Sequence, residues 1–260
     1  MLLRLIAVFC LFCISPACAG AWTLAEDTSQ SISNFTYSRA SRSYDGASNP
    51  TIPVRYTKLL TQTYIEYGLR DWITLTVNPE YARAKSGTPG GPVEIASAFA
   101  IGGGARVRLL EGENVLSVEA SFKSAGAFDT NVSVNQESGR QIELRALYGI
   151  NFEVFGKPAF ADFETGHRFV AGARPDEAPV DITVGLHLTS GTMLLAQNFN
   201  VISHGNYQRP YRAYRSHKLQ LSVVQHVWRS LSVQIGAFVS PFGQRTLKEQ
   251  GLSFALWERM

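Results

Sequence analysis

The chain has 260 residues with 24 Lys and Arg against 21 Asp and Glu, a formal charge of +3, and neither a basic stretch nor a strongly basic domain of the kind a nucleic-acid partner requires. Its three cysteines, Cys10, Cys13 and Cys18, all fall in the first 18 residues. Beyond that point a disulfide framework, thiol catalysis and a cysteine metal site are excluded together.

The first segment explains where those cysteines go. Arg4 is followed by an apolar run from Leu5 to Ile14 and then by Ser15, Pro16, Ala17, Cys18, Ala19, Gly20 and Ala21. One positive charge, a short apolar run and small residues at A-x-A spacing predict a cleaved signal peptide over 1–21, cut after Ala19 or Ala21; the run is too short for a spanning anchor helix. Its removal takes the basic count from 24 to 23 against 21 acids, a mature charge of +2. The remaining 22–260 reads as a single all-β domain, with no linker or shift in composition to divide it.

Twelve strands follow from alternation of period two. They lie near Gln30 to Arg39, Tyr56 to Tyr67, Trp72 to Tyr81, Ala96 to Leu109, Val115 to Phe128 and Arg140 to Phe152. The second six lie near Pro158 to Phe169, Pro179 to Leu188, Met193 to Ile202, Arg215 to Val224, Leu231 to Val239 and Leu252 to Met260. In the second strand Leu59, Thr61, Thr63, Ile65 and Tyr67 share one face, opposite Leu60, Gln62, Tyr64 and Glu66. In the fourth, Phe99, Ile101, Ala105, Val107 and Leu109 oppose Gly102, Gly104, Arg106 and Arg108; the glycines there have no phosphate-loop context and relieve crowding or permit a bend.

The connections alternate in length. Short turns fall at Gly68 to Asp71, Leu110 to Asn114, Glu153 to Lys157, Ser190 to Thr192 and Val227 to Ser230. Longer polar loops fall at Ser38 to Arg55, Arg83 to Glu94, Asp129 to Gly139, Val170 to Ala178, Ser203 to Tyr214 and Ser240 to Gln250. An even number of antiparallel strands, with short turns at one rim and long loops at the other, predicts an all-β transmembrane antiparallel up-and-down β-barrel of about 12 strands in a bacterial outer membrane. Lipid leaves unpaired backbone groups unsolvated at several kcal/mol each, so a sheet there must close. Tyr67, Trp72, Tyr148, Trp228 and Trp257, with Tyr81, Phe128 and Phe169, are expected as membrane-interface aromatics. A secreted β-sandwich shows the same alternation and is the competing fold.

In layout the chain resembles Gram-negative outer-membrane β-barrels. More narrowly, Ala21-Trp22-Thr23-Leu24, Glu66-Tyr67-Gly68-Leu69-Arg70-Asp71-Trp72 and Leu195-Ala196-Gln197-Asn198-Phe199-Asn200 resemble the group of such barrels named for the meta-pathway of phenol degradation. That resemblance implies a channel-like role and recognition by the barrel-insertion machinery, although the end Trp257-Glu258-Arg259-Met260 departs from the terminal aromatic such barrels often carry.

On this reading the lumen is lined by Arg106, Arg108, Glu119, Lys123, Glu143, Arg145, Asp162, Glu164 and Arg168, because a cation at the lipid midplane costs about 2–4 kcal/mol. These residues either form ion-pair ladders that fill a narrow barrel or line a mixed-charge pore for a small-molecule solute. Ser203-His204-Gly205-Asn206 is the only cluster with a nucleophile, a base and an orienting amide, but adjacent residues of an extended segment point to opposite faces, so no catalytic residue is assigned. His167 and His187 lack ligand spacing, so no metal or other cofactor is expected. Tyr207 to Arg215 interleaves arginine with tyrosine and is a candidate contact for outer-membrane lipid and lipopolysaccharide. The expected function is a porin-like or small-solute channel; the alternative is a lipid-modifying or surface-interaction barrel using the Ser203 to Arg215 loop.

Overall fold

A computed structural model describes residues 20–124, 139–172, 174–205 and 212–260. The predicted leader, apart from Gly20 and Ala21, lies outside them, as do Phe128 and the loop residues 206–211.

The strands are β1 (Ser29–Ser43), β2 (Ile52–Arg70), β3 (Ile73–Gly87), β4 (Val93–Leu110), β5 (Asn114–Lys123), β6 (Gln141–Val154) and β7 (Lys157–Val170). They continue with β8 (Glu177–His187), β9 (Thr192–Ser203), β10 (Arg215–Trp228), β11 (Leu231–Val239), the two-residue β12 (Gly243–Gln244) and β13 (Gln250–Arg259). Each long strand pairs antiparallel with its sequence neighbour, and β13 pairs with both β11 and β1, so the sheet closes into a barrel of twelve long strands with β12 as a short addition. Closure is sealed at the short-turn rim, where Ser29 and Met260 exchange two backbone hydrogen bonds of 2.9 Å.

All twelve predicted strands are present, and several run further toward the long-loop rim than expected. β1 reaches Ser43 and β3 reaches Gly87, beyond the last apolar positions, because ladder pairing needs only backbone groups and continues after the apolar pattern ends. The turn between β6 and β7 is two residues long, Phe155 and Gly156, with φ of 52° and 69°, which suits a right-twisted hairpin.

The polarity of the barrel is inverted. Leu59, Ile65, Leu75, Phe99, Ile101, Leu144, Leu221 and Phe254 face outward and are exposed, whereas Lys58, Glu66, Arg106, Glu143 and Asp162 are buried inside. A closed sheet with an apolar outer belt is the solution that lipid permits, and it rules out a sandwich, which would bury the apolar face. Gly104 sits where β4 and β5 approach closely, and a Cβ there would run into the Ala120 carbonyl.

Candidate functional site: the barrel interior

Of the nine residues expected on the lumen side, seven line one internal cavity, and six are joined into two ion-pair clusters. Arg106 is the centre of the first. Its guanidinium donates to Glu66 Oε1 at 2.8 Å, Glu119 Oε2 at 2.9 Å, the Tyr64 hydroxyl at 2.8 Å and the Trp22 carbonyl at 3.1 Å. Register explains part of this: Arg106 lies opposite Glu119 on β5. Side chains of a narrow barrel also reach across strands, so Glu66 on β2 meets Arg106 past β3.

Arg145 and Arg168 form the second cluster. Arg145 pairs with Glu164 at 2.7 Å, Asp181 at 2.8 Å and Glu143; Arg168 pairs with Glu177 at 2.5 Å and with Glu143. Glu143 and Arg168 are direct partners in the β6–β7 ladder. Lys123 pairs with Glu80 at 2.9 Å, and Arg108 pairs with Glu111 at 2.7 Å beside the β4–β5 turn. Asp162 differs from the other eight: it accepts a hydrogen bond of 2.8 Å from the Ala21 backbone N–H.

That bond belongs to a segment to which strand periodicity assigns no role. Residues 20–25 enter the barrel from the short-turn rim. Ala21 is wholly buried, and its carbonyl accepts from Ser117 Oγ. Leu24 N–H donates to Thr74 Oγ1 at 2.8 Å, and Thr23 Oγ1 donates to the Asp71 carbonyl at 2.6 Å. Between these anchors Trp22 packs edge-on against Phe160 with ring centroids 5.8 Å apart. Gly149 leaves the space: a Cβ there would lie 2.6 Å from the indole. Trp22 precedes the first strand and belongs to no alternating pattern, so periodicity assigns it no face.

Trp22 also joins an internal apolar cluster of Phe160, Met193, Leu195, Val224, Ala255 and Trp257. This corrects the placement of Trp257 at the membrane boundary. Leu252 and Phe254 hold the outward positions of β13, so the alternation turns Ser253, Ala255 and Trp257 inward, where the indole N–H donates to Gln234 Oε1 at 2.9 Å. The other four interface aromatics, Tyr67, Trp72, Tyr148 and Trp228, do face outward, with exposures of 41%, 51%, 43% and 64%. On β9, Leu195, Gln197 and Phe199 turn inward.

Between the ion-pair clusters and the apolar floor lies a cavity of about 420 Å³. Gln62, Asn78, Lys123 and Gln197 give its wall neutral and cationic polar groups, and the two arginine clusters line it alongside. At the long-loop rim a second buried group appears in the connection after β11. Glu249 lies 3.0 Å from Lys218 and 3.8 Å from Lys58, and accepts from Ser38 Oγ at 3.1 Å. Burial opposes its charge, but the two ammonium groups outweigh burial and hold the carboxyl at about 2. This connection also carries β12, which pairs with Arg215 and Ser216 where β11 has ended.

The Ser203 to Arg215 loop does not assemble a nucleophile within its described residues. Ser203 Oγ accepts from Gly205 N–H at 3.1 Å, while the His204 ring stacks on His167 at 5.8 Å. Asn206, the orienting amide of the candidate cluster, lies outside the described residues together with Tyr207 and Arg209. Among the described residues no group of three or more His, Cys, Asp or Glu is arranged to hold a metal ion.

An outer-membrane channel from Pseudomonas putida F1 has a similar structure, with a TM-score of 0.75 over 92% of this chain and 98% of that one at 12% identity. The β domain of the Bordetella autotransporter BrkA is similar at a TM-score of 0.56, 11% identity and coverages of 90% and 99%. The translocator domain of the autotransporter NalP from Neisseria meningitidis gives 0.54, 10% identity and coverages of 95% and 90%. No family model and no curated protein matches the sequence. The closed twelve-stranded fold and the apolar outer belt, shared in fold with these proteins, define the chain as a transmembrane β-barrel of the outer-membrane type.

Proposed function

We propose that this barrel, cleaved after Ala19, is a porin-like channel for small solutes, held nearly closed at its short-turn end by the segment 20–25. The observation that carries this reading is the 420 Å³ cavity, bordered by Arg106, Glu119, Lys123, Glu143, Arg145, Glu164 and Arg168 and floored by Phe160 and Trp257. Barrels of eight strands are filled by side chains, and those of about 16 to 18 hold an open aqueous channel. Twelve strands leave room for one such chamber once ion pairs and an N-terminal segment occupy the rest. Mixed charges lining the chamber suit small polar or zwitterionic solutes, which exchange water for paired polar groups. Asp162 acts on the route through the segment it anchors, and Arg108 acts at its lower mouth.

Planar-bilayer recording tests the reading. The intact protein is expected to show small, infrequent conductance steps, and a variant lacking residues 20–25 larger and longer ones. Absence of conductance from both, in protein shown to be folded by heat-dependent gel mobility, would sink the channel assignment.

A further inference from the structure

The outer wall of β1, β2 and β3 carries basic side chains where a lipid-facing sheet should carry none. Arg39, Arg55, Arg83 and Lys85 all point outward and are exposed. Ladder register brings them together. Arg39 lies opposite Thr57, and Thr57 opposite Lys85, so Arg39 and Lys85 share one row across three strands. Arg83 is two residues from Lys85 on the same face, and Arg55 is two residues from Thr57. Neighbouring strands are about 4.8 Å apart and alternate residues about 7 Å apart, so these cations occupy one patch roughly 10 Å wide.

Among the described residues none of the four has an acidic partner. The outward neighbours of Arg83 and Lys85 on β4 are Ser97 and Ile95. The Gln250 amide, with its oxygen turned toward Arg39, accepts from that guanidinium at 3.1 and 3.2 Å and leaves the charge uncompensated. The interior of the same barrel pairs its arginines with carboxylates, so the absence of acid here is local.

Height decides what meets the patch. Tyr67 marks the boundary near the short-turn rim and lies opposite Leu75 on β3. Lys85 is ten residues further along that strand. At about 3.4 Å per residue and a tilt of about 40°, it stands roughly 26 Å higher, the full height of an outer-membrane apolar belt. The aromatic row Phe35, Tyr81 and Phe99 lies just below, in register through Thr61. The cations therefore sit at the headgroup level of the leaflet on the long-loop side, where an outward charge costs little and phosphates are available.

We infer that the outer wall of β1 to β3 is a binding site for the phosphorylated glycolipid of the outer leaflet, with Arg39, Arg83 and Lys85 contacting its phosphates and Arg55 supporting them from above. Arginine forks and a lysine point charge suit multidentate phosphate binding, and Thr57 and Ser97 add hydroxyl donors in the same rows. This proposal puts a glycolipid contact on the barrel wall, separate from the Tyr207 to Arg215 loop.

The test is native mass spectrometry and competition binding of the folded barrel in neutral detergent, with bisphosphorylated lipid A as probe. The triple variant Arg39→Gln, Arg83→Gln, Lys85→Gln is expected to bind lipid A at least tenfold more weakly. Arg70→Gln, at the opposite rim, is expected to bind it as the unaltered protein does. Dephosphorylated lipid A should not compete, and phosphatidylglycerol should compete poorly. Equal lipid A binding by the triple variant overturns the site, and equally effective displacement by phosphatidylglycerol overturns its assignment to the glycolipid. The altered side chains are exposed, so heat-dependent gel mobility will confirm that each variant is folded.

Discussion

Arg106 and Glu66 meet at 2.8 Å from strands that are not neighbours, with β3 passing between them, and their side chains are only 3% and 2% exposed. One guanidinium thereby ties β2, β4, β5 and the Trp22 carbonyl into a single knot.

Removing Arg106 leaves Glu66 and Glu119 buried without their cation. Arg106→Ala is expected to lower unfolding stability by about 3–5 kcal/mol, the usual cost of breaking a buried pair from one side. Arg106→Lys should recover only part of the loss, because one ammonium cannot reproduce a fork that reaches four acceptors. Guanidinium unfolding in micelles, followed by tryptophan fluorescence, measures both; a loss below about 1 kcal/mol would show that the knot is not structural.

Trp22→Ala removes the ring that fills the gap between Phe160 and Gly149. We expect about 3 kcal/mol of destabilisation, at the low end for loss of a buried tryptophan, because Trp22 is only partly buried. Single-channel conductance should rise several-fold at the same time. Lower stability with unchanged conductance would separate packing from closure.

Lys123 lines the cavity, and its ammonium pairs with Glu80 at 2.9 Å. Lys123→Glu replaces a cation with an anion beside an existing carboxylate. Reversal potentials in asymmetric KCl are expected to move toward cation selectivity, most clearly below 0.1 M salt, where screening is weak. An unchanged reversal potential would place the conducting path elsewhere.

Glu249 gives the long-loop rim an acid limit. Its carboxyl is held at about 2 in the folded protein, against an ordinary value of 4.5. A lowered folded value contributes stability that is fully present above about pH 4.5 and is lost as pH falls toward 2. The connection 240–249 is therefore expected to become protease-sensitive below about pH 4, while Glu249→Gln should be equally sensitive at pH 4 and pH 7. Limited proteolysis with a protease active at both pH values, such as proteinase K, reads this out.

The fold was legible because two independent signals agreed: period-two alternation and the alternation of short with long connections. The polar face of each strand was legible for the same reason, since a face that carries charge had to avoid lipid. Trp257 shows the limit of that logic. An aromatic residue near a strand end suggested the interface, but the positions of Leu252 and Phe254 fix its face as inward, where Gln234 satisfies the indole. Trp22 and Glu249 were not legible as interior residues. Both lie in connecting or leading segments, where no periodicity assigns a face, and their partners Phe160, Lys58 and Lys218 are distant in sequence. Asp181 joins the cluster only through three-dimensional proximity to Arg145, which strand alternation does not show.

The seam between the first and last strands has a consequence for how the molecule is made. Gln30 pairs with Arg259, so the last contacts that close the ring join residues 229 apart. Until β13 arrives, β1 and β11 each present an unsatisfied edge, and no shorter portion of the ring is self-contained. Assembly is therefore a single commitment made late: neither edge is satisfied until the final strand is in place.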